Sequence, residues 1–142
     1  AGSISIKRLS GPAQIAASAK IYLQYTGNAG TSLTANVTDI DFATKVVDSH
    51  GAWDGTTFTA PRADFYTFRG SIYFTSGNTS SNYLYVNGTK KLIADTGASS
   101  GAHLFGIGTY LLAEQTVSFR CDSSLTLNSS DIIHHIEITS QG

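Results

Sequence analysis

The chain has no methionine, one cysteine and two prolines in 142 residues. With Cys121 alone, no intrachain disulfide can form. A small domain of this kind therefore lacks the cross-links on which many extracellular modules depend, and oligomerisation is the expected substitute. A complete translation product begins with methionine, so further sequence is expected upstream of Ala1, and Ala1-Gly2-Ser3 reads as the start of a processed chain or a cloned fragment. Charge is also scarce: charged residues make up 13% and the net charge is −1. No basic stripe exists to neutralise phosphates, which excludes nucleic acid as a partner. Sparse charge beside an 11% aromatic fraction excludes a disordered chain. No apolar run is long enough to span a bilayer, and no signal peptide is visible.

What is present points to β-structure. Seven Tyr, seven Phe and fourteen Gly suit pleated strands joined by tight turns. Alternating runs recur at Lys20–Tyr25, Tyr66–Phe74 and Thr116–Cys121, and further short strands are expected at Val37–Phe42, Lys45–Asp48, Tyr83–Val86 and Lys90–Ala94. In the last run, Ile132–Thr139, alternation places Ile132, His134, Ile136 and Ile138 on one face. Asn87-Gly88 is the strongest hairpin signal. Gly27–Thr34, Thr75–Asn82 and Asp95–Gly101 read as polar loops. About ten short antiparallel strands at intervals of about ten residues, with no helix and no repeat, predict an all-β sandwich or jelly roll. Residues 20–142 form the head. Residues 1–19 are either a connector from an upstream stalk or a strand beside the domain.

The chain is organised around Gly51–Phe74, where Trp53 precedes Phe58-Thr59-Ala60-Pro61 and Phe65-Tyr66-Thr67-Phe68. This pattern, with Tyr83-Leu84-Tyr85-Val86-Asn87-Gly88 downstream, resembles the signature of C1q/TNF-like jelly-roll domains, over roughly Lys20 to Ser140. The chain departs from that family at three places. Asp64 stands where glycine usually precedes the strand aromatic, and aspartate tolerates left-handed backbone. Glu114-Gln115 replaces the usual Gly-Asp. His134-His135-Ile136-Glu137-Ile138 replaces the usual Phe-Ser-Gly-Phe. No family calcium site carries over, because its ligands have no residue-by-residue match. The resemblance implies a homotrimer packed through its inner sheets.

His103–Leu112 carries Phe105, Ile107 and Leu111 on one face and Leu104, Tyr110 and Leu112 on the other. A strand apolar on both sides needs cover on both, and a sandwich covers only one. Either loops of the same chain supply the second cover or another copy does; with the resemblance, Leu104, Phe105, Tyr110 and Leu112 are the expected trimer seam. His134 joins them because the resemblance places the C-terminal strand near the threefold axis. No catalytic or metal-ligating set stands out. His134 and His135 point to opposite faces of one strand, no Gly-x-Ser-x-Gly elbow exists, and Cys121 alternates with Val117 and Phe119 as a buried thiol would. No cofactor is implied.

Recognition is expected on the polar loops, with Asn28, Asn78, Thr79, Ser80, Tyr83 and Ser99 as candidates, because hydroxyls, amides and a nearby aromatic suit carbohydrate. A disulfide-free, Ser/Thr/Gly-rich trimeric head is similar in style to the knob ending the tail needle of some short-tailed phages. That likeness implies a non-catalytic knob at the distal end of a virion tail, joined to an upstream stalk and meeting a host cell-surface glycan or envelope protein. The alternative is a cellular C1q/TNF-like ligand or lectin-like head.

Overall fold

The structure, a computed structural model, describes residues 19–75, 80–98, 101–130 and 132–142. The expected connector lies outside these residues except for Ala19, as do the candidates Asn78, Thr79 and Ser99. Every regular element described is a strand: β1 (Tyr22–Thr26), β2 (Ser32–Leu33), β3 (Thr44–Asp48), β4 (Phe58–Thr59), β5 (Asp64–Phe74), β6 (Ser80–Val86), β7 (Thr89–Ala98), β8 (Gly101–Leu111), β9 (Thr116–Cys121), β10 (Leu125–Thr126) and β11 (His135–Ser140). A five-stranded sheet in the order β3-β1-β11-β5-β8 faces a four-stranded sheet in the order β4-β9-β6-β7, and β2 pairs with β10.

Period-two alternation sets which face is buried. In β5, Tyr66, Phe68, Ile72 and Phe74 point inward; β11 adds Ile136 and Ile138, and β9 adds Val117, Phe119 and Cys121. Aromatic edges knit the two sheets: Phe68 meets Phe119 edge-on at 5.8 Å, and Phe105 meets Phe119 at 5.2 Å. Gly70 faces Ile136 across the β5–β11 pair. A Cβ there would collide with the His135 carbonyl oxygen, so only glycine lets the two backbones approach this closely. The Asn87-Gly88 hairpin forms as expected. Both residues take positive φ, at 49° and 79°, as the twist of flanking strands demands of a two-residue turn.

Several local expectations are corrected. Val37–Phe42 is not a strand. It begins in a turn that includes Asn36, at φ 60°, and among the described backbone bonds to β9 are those from Asn36 N to Cys121 O and from Ile40 N to Phe119 O. The loop expected over Gly27–Thr34 contains β2. The Asp95–Gly101 loop is largely strand, because β7 runs to Ala98 and β8 begins at Gly101. Ile132 does not share the buried face of the last strand: it lies in a turn and is 87% exposed. Asp64 opens β5 without left-handed backbone, whereas Glu114 in the β8–β9 turn is left-handed, at φ 72°.

The two ends of the sandwich differ. Arg62 bridges the described termini, donating to Ala19 O at 2.8 Å and Gly142 O at 3.0 Å. The β8–β9 turn and the Asn87-Gly88 hairpin lie at this end, tied by the bond from Asn87 N to Thr116 O. At the opposite end Asn28 donates to Asn128 O at 2.8 Å, and Asn128 N donates to Tyr73 O. β5 ends and β6, β8 and β11 begin at that far end, as their antiparallel registers require.

Candidate functional site

The outer face of the five-stranded sheet is the candidate site. β8 is its edge strand, and pairing with β5 places Tyr110 opposite Phe65, Gly108 opposite Thr67, Gly106 opposite Arg69 and Leu104 opposite Ser71. Leu104 is 79% exposed, Tyr110 59% and Leu112 58%, with Phe65 beside them at 40%. The alternate residues of β8 point into the core. Gly108 explains how Phe65 lies flat: a Cβ there would come within 2.6 Å of the Phe65 ring. An apolar strip thus runs along β8 with one side buried by its own chain and the other open.

Beyond the strip the face turns polar. Arg69 pairs with Glu137 at 2.7 Å, and Tyr22 donates to the same carboxylate at 3.1 Å. Burial first, and then the bond to Glu137, raise the Tyr22 phenol above its usual value. With Gln24, Leu104 and His135 these charges line an open cleft of about 340 Å³. An exposed ion pair of this kind contributes about 0–1 kcal/mol to folding.

Two of the expected seam residues are placed elsewhere. Phe105 is 6% exposed and belongs to the core, because it alternates with Leu104. His134 is 0% exposed and lies inside the chain, stacked on Phe42 at 4.5 Å. Its Nδ1 accepts from Tyr73 N at 3.3 Å, which makes Nε2 the donor to Asp41 O at 2.8 Å. Burial lowers the His134 pKa below its ordinary value. His135, not His134, faces outward.

The recognition candidates also separate. Asn28 is occupied in holding its loop: its amide donates to Asn128 O and its carbonyl accepts from Gly30 N at 2.7 Å. Ser80 is buried, with its hydroxyl 3.3 Å from Asp122. Tyr83 lies on the outer face of the other sheet, with Lys90 Nζ 4.2 Å from its ring centroid. Cys121 is buried among core residues, and burial pushes its thiol up to about 12. Among the described residues no group of three His, Cys, Asp or Glu is placed to hold a metal.

No family model matches the chain, and no curated protein matches it by sequence. Solved structures do match by shape. Murine APRIL at pH 8.0 superposes with a TM-score of 0.69 at 11% identity, over 86% of this chain and 99% of that one. The TNF protein Eiger from S. frugiperda gives 0.63 at 11% identity, over 87% and 93%. The globular domain of zebrafish complement 1qA gives 0.59 at 14% identity, over 86% and 96%.

The fold is a C1q/TNF-like jelly roll. It keeps that architecture with little of the family's sequence. Glu114 holds the left-handed position where the resemblance places glycine, and Glu114 N donates to Ala60 O at 2.8 Å to close the turn. The sequence gives Arg69 and Glu137 no site role and marks Phe65 only as a residue of the Phe65-Tyr66-Thr67-Phe68 motif. Alternation alone places them on the outer face of the jelly roll's five-stranded sheet, and only the order β11-β5-β8 makes them neighbours.

Proposed function

We propose that three copies of this jelly roll join through the outer face of the five-stranded sheet. The assembly forms the distal knob of a bacteriophage tail needle or fibre, which contacts the host envelope and performs no covalent chemistry. The observation that carries the reading is the open apolar strip of Leu104, Tyr110, Leu112 and Phe65. A strip of this chemistry in a disulfide-free domain is stabilised when a neighbour covers it. A threefold contact must be heterologous, one patch meeting a different patch on the next copy. A face divided into an apolar edge strand and a charged middle supplies two such patches. The far-end loops lie opposite the joined termini, which suits a stalk at one end and contact at the other.

Sedimentation of the head and the residues encoded before Ala1 test this reading. A trimer preceded by long helical heptads supports it; a monomer ends it. Collagen Gly-X-Y repeats or a membrane anchor upstream would instead select the cellular-ligand alternative. Fluorescent head should bind bacterial envelope vesicles in the first case and not in the second.

A further inference from the structure

The outer face of the four-stranded sheet carries a second cluster, on the side of the sandwich away from the proposed seam. Tyr83 pairs with Arg120 on one side and Ile93 on the other; Tyr85 pairs with Ser118 and Lys90. The side chains cross diagonally. Lys90 Nζ lies 4.2 Å from the Tyr83 ring centroid and the Arg120 guanidinium 4.5 Å from that of Tyr85. The Asn36–Asp39 segment closes over them: Asn36 Oδ1 accepts from Lys90 Nζ at 2.8 Å and from Tyr85 OH at 3.3 Å, and Arg120 donates to Asp39 Oδ1 at 2.7 Å.

From this arrangement we infer that the Tyr83–Lys90–Asn36–Asp39 cluster is a carbohydrate site for a sugar ring with adjacent free hydroxyls. Each polar group is already held through one atom and presents another. Among the described residues, Asn36 uses its carbonyl oxygen and keeps its amide N–H groups; Asp39 uses Oδ1 and keeps Oδ2; Lys90 donates one N–H to Asn36 and lies over the Tyr83 ring, with donor capacity left for a ligand. The Tyr83 hydroxyl has no protein partner among the described residues. Donors and an acceptor side by side match vicinal hydroxyls, which both give and accept. The 45%-exposed Ile93 and the part of the half-buried Tyr83 ring that Lys90 leaves uncovered supply the apolar shelf for the C–H face of the sugar. Groups fixed before the ligand arrives lose little entropy on binding. Arg120 is neutralised by Asp39, so among the described residues Lys90 is the cluster's one cation without a carboxylate partner, too little positive charge to hold a polyanionic sugar. The inference rests on the knob reading only for the source of the glycan.

The test is amide-resolved NMR of the whole head, titrated with methyl glycosides of glucose, galactose, mannose and rhamnose, then with purified bacterial polysaccharide. The expected result is saturable shifts centred on Asn36, Tyr83, Lys90 and Ile93 with at least one glycoside. Tyr83→Ala should weaken binding about tenfold or more, equivalent to about 1.4 kcal/mol. Tyr83→Phe should retain the shelf and lose less. Asn36→Gly keeps the left-handed backbone and should also weaken binding. The inference is overturned if no glycoside or polysaccharide shifts these amides, if the shifts fall on the far-end loops, or if Tyr83→Ala binds like wild type. Sedimentation of the same samples reports the trimer separately, so an intact trimer without sugar binding removes this site and leaves the knob.

Discussion

Leu104 and Phe105 are chain neighbours with opposite fates, and substituting each separates assembly from folding. Leu104 is 79% exposed in the subunit, whereas Phe105 is 6% exposed and packs on Phe119. Changing an exposed side chain to aspartate alters subunit stability by about 0.5 kcal/mol or less. In a covered seam the same change removes about 2 kcal/mol of leucine burial and adds several kcal/mol for a desolvated carboxylate. Across three copies the loss is on the order of 15 kcal/mol, or about eleven powers of ten in the association constant. Leu104→Asp should therefore sediment near 15.0 kDa, against about three times that for wild type, and retain its β circular dichroism. Phe105→Ala should do the reverse, losing about 3–5 kcal/mol of folding stability to a core cavity. Sedimentation velocity and denaturant melts read the two effects independently. A wild-type monomer, or a Leu104→Asp trimer as tight as wild type, would refute the reasoning.

Three further outcomes follow from single residues. Glu114→Gly relieves a left-handed glutamate at φ 72° and should raise stability by about 1 kcal/mol, visible as a melting temperature higher by a few degrees; an unchanged or lower midpoint would count against strain at that turn. His134 is buried neutral with its pKa lowered from 6.5, so the unfolded chain takes up the proton first. Its contribution to stability is complete above about pH 6.5 and falls as pH drops toward the lowered folded value. Urea midpoints across that window should fall more steeply for wild type than for His134→Gln, and equal slopes would be the contrary result. Cys121, buried with its thiol pushed up to about 12, should resist iodoacetamide in the native protein and react on denaturation; rapid native labelling would show that the core opens there.

The all-β fold class was legible from the chain alone, because side chains in a strand alternate strictly and the burial of one face leaves a period-two record. The sequence marked the Asn87-Gly88 turn, since few residues accept positive φ. It also determined that β8 is apolar on both faces, and which residues lie on each. It misassigned Phe105 to the seam because an apolar residue looks alike whether it faces the core or a partner. It misassigned His134 because the resemblance set the final strand near a threefold axis, whereas alternation puts His134 on the face of Ile136 and Ile138, and that face is core, with His134 packed on Phe42 and bonded to Asp41 and Tyr73, each at least 61 positions away in the chain. Only tertiary structure decided that Arg69 and Glu137, 68 residues apart, form one ion pair. It alone brought Asn36, Tyr83, Lys90 and Arg120 onto one patch and left the β8 strip at a sheet edge. Those are matters of strand order, and strand order is set by long-range pairing that no local window of sequence contains.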